Sequence, residues 1–333
     1  MTLLAPLFYR FLSKVFLNDP EYAAALAARY GGISLLSRES LNQLYRWFRL
    51  PLAFSLTTVG IETNNTCNLT CRHCPAPREM KRPKGLMSLE FFRQILEINR
   101  GIRRIYLTNW GEPLLHPGIG QMIAMARTRN IHVSLTTNAT LLDGKMSLDL
   151  LKAGLNLLKV SIDGGPETYE KIRGFPYAKV KENLSGFLRL REEMSAKTWV
   201  EVSMVVYEET VAEVTTLAKE WGKRVDAVNL QPKFFTLARR RKKACRDLWR
   251  ILVVLWDGRV TPCCADYDGE IILGQAGESP LASIFNGQAM RTLRRQHLQR
   301  RRSGLCSRCD SYEADYHLAK KRAFQAEMEW RPR

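Results

Sequence analysis

Between residues 57 and 236, strand-type and helix-type signals alternate six times, and this alternation restricts the fold more than any other feature. "TVGIETN", "IRRIYLTN", "IHVSLTTN", "LNLLKVSIDG", "KTWVEVSMVVY" and "VDAVNLQP" are short apolar runs rich in β-branched residues. Helix-period segments follow the first five of them or lie between them. One is "SLEFFRQILEINR", with Ser88 placed to cap it, and another is "KMSLDLLKAG", which ends on a glycine. Six such units in series demand parallel strands joined by right-handed crossovers, hence an α/β fold, as a barrel or a doubly wound sheet. In both, chemistry belongs at the carboxyl ends of the strands. The flanks differ. Residues 1–56 read as mostly helical. Residues 237–333 are basic and contain cysteine, with "ILVVLWDGRVTPCC" as a hairpin turned at Asp257-Gly258. The charge run Arg239 to Lys243 marks the boundary, and 333 residues suit one large domain with a smaller appendage.

Where the first strand ends, "TCNLTCRHCP" places Cys67, Cys71 and Cys74 within eight residues. A structural zinc site takes four ligands. His73 is too close to Cys74 to ligate the same ion, and His116 lies beyond a helix and a strand. A disulfide leaves one thiol over. The set suits a [4Fe-4S] cluster with one iron free for another ligand. The opening stretch is broken by Arg10 and Lys14 and lacks a cleavage site, so neither a membrane span nor a secretory signal is expected. A reducing cytoplasm, where clustered cysteines hold metals, is the expected location.

The spacing C-x3-C-x-aromatic-C at Cys67, Cys71, His73 and Cys74 resembles the signature of the radical S-adenosylmethionine (radical SAM) superfamily. The resemblance implies a partial (β/α)6 barrel in which SAM chelates the unique iron. The reduced cluster then cleaves it to methionine and a 5′-deoxyadenosyl radical that abstracts a substrate hydrogen. It also implies SAM contacts. "NWGEPLLHP" is similar to the family's Gly-Gly-Glu motif, with Trp110 in place of the first glycine. There Gly111 offers bare backbone, and Glu112 a carboxylate for the SAM ammonium. Thr137 and Asn138 follow the third strand as further candidates, and Ser161 and Asp163, after the fourth, stand at positions similar to the family's ribose contacts. Arg173 matches a residue that pairs with the SAM carboxylate, and His73 belongs to the same lining. By themselves, Ser161 and Asp163 also suit a strand-ending turn, and Arg173 a solvated helix.

Five cysteines remain. Cys245, Gly258, Cys263, Cys306 and Cys309 form C-x12-G-x4-C … C-x2-C, and Cys264 is spare. Four ligands close either a second cluster or a structural zinc. The pattern resembles the twitch domain, the one-cluster relative of SPASM, which implies a small α+β domain with one auxiliary [4Fe-4S] cluster. Enzymes of this build often oxidise substrate, so a small molecule, sugar- or aminocyclitol-like or phosphorylated, is the expected substrate. A peptide side chain is the alternative, although the N-terminal segment is short for a leader-binding module. A zinc-bearing basic binding protein is the reading from another class. No general base is evident; Asp266, Tyr267 and Asp268 read first as a solvated turn.

The formal net charge is +18. Basic runs flank the second cysteine set. They suit an acidic flavodoxin or ferredoxin as electron donor, an anionic substrate, or a solvated face. Nucleic acid is disfavoured because stacking aromatics are not interleaved. Leu4, Phe8, Phe11, Leu12, Val15 and Phe16 form a helical stripe, and "LYRWFRLPLAF" mixes arginine with aromatics. Packing against the core is the first reading of both. Peripheral membrane contact or a lid over an apolar substrate are the others.

Overall fold

The computed structural model describes residues 33–232 and 244–309. The apolar stripe at 4–16, the boundary at Arg239 to Lys243 and the tail after 309 lie outside the described residues. Helix α1 (Ile33–Trp47) leads into the sheet; the part of the 1–56 flank before residue 33 lies outside the described residues. The strands β1 (Thr58–Ile61), β2 (Arg104–Tyr106), β3 (His132–Thr137), β4 (Leu157–Ser161), β5 (Trp199–Val206) and β6 (Ala227–Pro232) are all parallel to their neighbours. They are the six runs read from the sequence, trimmed by a few residues at the ends. Val59, Ile105, Val133, Leu158 and Val200 are fully buried, because helices cover a parallel sheet and leave its strands no wet face.

The connecting helices form where the apolar period is 3.6. In α2 (Leu89–Ile98), Ser88 Oγ accepts the Phe91 N–H at 3.1 Å, while Phe92, Ile95 and Leu96 point into the core. Next come α3 (Ile119–Arg127) and α4 (Gly144–Lys152). A short helix, α5 (Pro166–Arg173), precedes α6 (Tyr177–Glu193), and α7 (Val211–Gly222) ends the series.

The C-terminal hairpin does not stand apart. Its first strand, β7 (Ile251–Val254), pairs parallel with β1, Thr58 opposite Ile251 and Ile61 opposite Val254. The chain then turns at Asp257-Gly258, where Gly258 has φ 88°, into antiparallel β8 (Arg259–Thr261), followed by β9 (Gly274–Gln275). The described residues thus form one nine-stranded sheet, in the order β6-β5-β4-β3-β2-β1-β7-β8-β9. Since β6 and β9 are its outer strands, the parallel part is an open, partial barrel, and the hairpin extends its β1 edge. Helices α8 (Leu281–Phe285), α9 (Gln288–Leu298) and α10 (Leu305–Arg308) follow in the described C-terminal residues.

Candidate active site

The loop after β1 carries Cys67, Cys71 and Cys74, and the loops after β2, β3 and β4 close around it. Gly111 is where the β2 loop meets it. A Cβ at Gly111 would lie 2.5 Å from Asn64 O and 2.8 Å from Thr66 O, so only glycine permits this approach. The contact is sealed by Glu112 N–H donating to Thr66 O (2.8 Å) and Asn64 Nδ2 donating to Glu112 O (3.1 Å). The sequence reading kept Gly111 bare for SAM; its missing side chain here makes room for the cysteine loop's backbone.

Glu112 is buried. Its Oε1 accepts from Thr137 Oγ1 (2.6 Å) and Leu114 N–H (3.1 Å), and its Oε2 from Asn138 N–H (2.8 Å). Burial pushes its carboxyl pKa up, and these donors oppose the shift. The carboxylate therefore clamps the β2 loop to the β3 loop. Asn138 in turn donates to Asn68 Oδ1 (3.0 Å) on the cysteine loop, with its Nδ2 3.8 Å from Cys67 Sγ.

On the other side, Asp163 follows β4 and is buried. Its Oδ1 accepts the Val205 N–H (2.7 Å), and its Oδ2 accepts Arg173 Nε (2.9 Å) and Nη2. Arg173 Nη1 then lies 3.9 Å from Cys71 Sγ, and Arg72 N–H donates to Ile172 O (2.8 Å). Arg173 is thus the last residue of α5, turned inward, rather than a solvated helix residue. Ser161 ends β4, half-buried. His73 stacks on Tyr207, ring centroids 4.0 Å apart at 23°, and its Nε2 is 2.9 Å from Glu209 Oε1. Tyr207 and Glu209 were missed in the sequence, although they follow β5 just as the other site residues follow their strands.

Desolvation by the surrounding loop is the first cause that raises the Cys67 and Cys74 thiol pKa values, although Cys67 reaches the surface, and the neighbouring thiols add to the rise. Gathered thiolates of this kind are stable only with a compensating cation, and a thiol-only donor set suits iron–sulfur clusters. His116 is committed elsewhere, with Nε2 2.8 Å from Met87 O and Nδ1 accepting the Gly118 N–H (3.0 Å). It is no fourth ligand. Among the described residues no three Cys, His, Asp or Glu side chains converge as on a single metal ion.

Of the second set, Cys263 has its thiol pKa raised well above the usual value, first by burial, then by Cys264 and Cys245. Cys309 lies within electrostatic reach of Cys264, and Cys306 is in α10, three residues before Cys309. Cys245 N–H donates to His297 Nδ1 (3.3 Å). The turn after Cys264 is not merely solvated. Asp266 is buried and accepts the Glu270 and Ile271 N–H groups (2.7 and 2.9 Å). Tyr267 Oη donates to Glu79 Oε2 (2.8 Å), and Asp268 Oδ1 accepts the Lys81 N–H (2.7 Å).

The two cysteine regions touch. Trp110 Nε1 donates to Cys264 O, and its ring meets Tyr267 edge-on at 5.6 Å. Beneath them, buried Glu62 pairs with both terminal nitrogens of Arg82 and accepts from Asn109 Nδ2 (2.9 Å), while Arg82 Nε donates to Tyr267 O.

Residues 61–220 match the radical SAM superfamily model, and residues 245–310 match the SPASM model, an iron-sulfur cluster-binding domain. The chain belongs to the radical SAM superfamily. S-Adenosylmethionine and [4Fe-4S] clusters are the cofactors that these two domains carry. Over 169 residues the chain is 31% identical to the AdoMet-dependent heme synthase of Methanosarcina barkeri, covering 49% of this chain and 47% of the relative. It is 28% identical over 177 residues to the PqqA peptide cyclase of Gluconobacter oxydans, covering 51% and 48%. The match thus spans about half the length of these curated relatives. Among solved structures, native anSMEcpe with bound AdoMet superposes with a TM-score of 0.60 at 17% identity, covering 82% of this chain and 97% of that one. That likeness speaks for the fold.

Proposed function

We propose that this chain is a radical SAM enzyme that reductively cleaves S-adenosylmethionine and oxidises or rearranges a small molecule, with one auxiliary [4Fe-4S] cluster assisting. The observation that carries the reading is the closure of three successive strand-end loops on one three-cysteine loop. When bound, SAM on the open iron of a reduced cluster supplies a 5′-deoxyadenosyl radical that takes a hydrogen atom from substrate. Cys67, Cys71 and Cys74 hold that cluster, and Cys245, Cys263, Cys306 and Cys309 hold the auxiliary one. Gly111, Glu112, Thr137, Asn138, Ser161, Asp163, Arg173 and His73 form the SAM side of the site, within a core at 57–236 between flanks at 1–56 and 237–333.

Each residue then has a physical task. Gly111 lets the β2 loop lie directly against the backbone of the cysteine loop. Glu112 orients Thr137 and Asn138. Asp163 aims Arg173, whose Nη1 is left near Cys71 to meet a carboxylate. The stack of His73 on Tyr207 presents flat apolar surface, as an adenine ring requires. An acidic flavodoxin or ferredoxin supplies electrons, which fits the net charge of +18.

The small-molecule reading draws on the heme synthase match; the second reading, a peptide side chain, draws on the match to the PqqA peptide cyclase. One experiment separates them. The reconstituted enzyme is incubated anaerobically with SAM and a reductant. It is given, in parallel, a deuterated small-metabolite extract and candidate precursor peptides. Deuterium in 5′-deoxyadenosine with the metabolite fraction supports the first reading. Deuterium only with peptide overturns it in favour of the second.

A further inference from the structure

Eight large apolar side chains are exposed among the described residues, and five of them fall within residues 47–54: Trp47, Phe48, Leu50, Leu52 and Phe54. Trp47 is 77% exposed and Phe48 68% exposed. This is not a frayed loop. Trp249 Nε1 donates to Leu50 O (3.1 Å) and Leu52 O (2.9 Å). Asn286 bonds both the N–H and the carbonyl of Ala53 (3.0 and 2.9 Å), and Arg49 Nη2 donates to Leu298 O (2.7 Å). The backbone is pinned from below while the apolar side chains are held outward. Five exposed apolar side chains within eight residues, with the Trp47 and Phe48 rings stacked at 5.8 Å, mark a contact surface.

Its flank toward α8 and α9 is cationic: no aspartate or glutamate occurs between residues 279 and 309 or between 40 and 61, and the nearby carboxylate of Asp247, two residues from Trp249, is paired with Arg250. Arg295, Arg300 and Arg301, at the end of α9 where Arg49 bonds, are exposed. Tryptophan and phenylalanine inside an arginine rim is the chemistry of the water–bilayer interface, where the ring meets the acyl boundary and the guanidinium an anionic headgroup. Outside the described residues, the sequence repeats this composition, with Leu4, Phe8, Phe11, Leu12, Val15 and Phe16 beside Arg10 and Lys14. No described helix is long and apolar enough to span a membrane.

We infer that the face formed by residues 47–54 and the end of α9 docks on an anionic lipid bilayer. The contact is peripheral and independent of the chemistry proposed above. The test is flotation of the full-length, cluster-reconstituted protein with phosphatidylcholine vesicles made with and without phosphatidylglycerol. Co-flotation with the anionic vesicles, lowered by salt, is expected. Trp47→Ser with Phe48→Ser should lower the partition about tenfold or more, since each exposed ring loses its burial. Arg300→Glu with Arg301→Glu should abolish the preference for anionic lipid. If the first double variant loses the wild-type circular dichroism, Leu50→Ser with Phe54→Ser replaces it under the same criterion. Three results would overturn the inference. One is recovery in the soluble fraction at low salt. The second is flotation that neither variant changes. The third is a lipid-free dimer that Trp47→Ser with Phe48→Ser dissociates, which would assign the face to a second copy of the chain.

Discussion

Replacing Gly111 by alanine tests whether the β2 loop must lie on the cysteine loop. The new Cβ would sit 2.5 Å from Asn64 O and 2.8 Å from Thr66 O, both backbone atoms with no side-chain freedom to yield. The β2 loop must retreat by several tenths of an ångström. Overpacking of this kind costs about 1–3 kcal/mol. The retreat also strains two hydrogen bonds, Glu112 N–H to Thr66 O and Asn64 Nδ2 to Glu112 O, each contributing about 1 kcal/mol net. A total near 3 kcal/mol follows. With an unfolding entropy of about 2.1 cal/mol/K per residue over 333 residues, or about 0.7 kcal/mol/K, that lowers Tm by about 4 °C. The same retreat pulls Glu112 and its partners away from the thiols, so SAM affinity should fall at least about tenfold. Gly144→Ala is the control, because nothing lies within 4 Å of a Cβ there and it opens α4. It should be neutral to slightly stabilising, since alanine is the better helix former. The assay is calorimetry of the cluster-loaded protein together with SAM titration. Wild-type Tm and SAM affinity in Gly111→Ala would refute the close-approach argument.

Three further outcomes are expected. Asp163→Asn leaves the largely covered Arg173 without its anionic partner; it should destabilise the fold by about 2–4 kcal/mol in urea titrations and weaken SAM binding more than it lowers iron content. Trp110→Gly removes the indole donor to Cys264 O and the edge contact with Tyr267; the electron paramagnetic resonance signal of the auxiliary cluster should change while that of the SAM-binding cluster persists. Glu112 has a folded-state pKa raised by burial, so the folded chain binds its proton more tightly than the unfolded one. Its contribution is fully present below the unfolded value of about 4.5 and is lost as pH rises through the folded value. Against Glu112→Gln in the cluster-free chain, wild-type stability should decline over that window, and a flat difference would refute the assignment.

The strands were legible because each is a short β-branched run bounded by turn residues, and Ser88 announced its helix by a local bond. The site was legible at the same level: Cys67, Gly111, Asn138 and Asp163 all sit where parallel strands end. What escaped the sequence is long-range or context-bound. α5 carries local signals, Pro166 at its start and left-handed Gly174 at its end, but the cap on its Gly165 N–H comes from Glu213, 48 residues away, which no local pattern shows. Nothing local in "ILVV" says that β7 pairs with β1 rather than standing in a separate sheet; the choice depends on which edge lies free after the six units assemble. The Trp110 contact to Cys264 spans 154 positions, and Arg82 reaches Glu62 only once the loops are folded. Trp110 read as a departure from a motif; in the structure it joins the two cysteine regions.

The central claim, that the two cysteine sets hold clusters of which the first opens to SAM, is tested most directly by one measurement. Protein reconstituted anaerobically is analysed for iron and sulfide, then supplied with dithionite and SAM. About eight irons per chain with matching sulfide are expected, four per cluster, together with 5′-deoxyadenosine. Cys67→Ala should abolish the nucleoside while retaining about four irons. Zinc without sulfide, or no 5′-deoxyadenosine from fully loaded protein, would contradict the account.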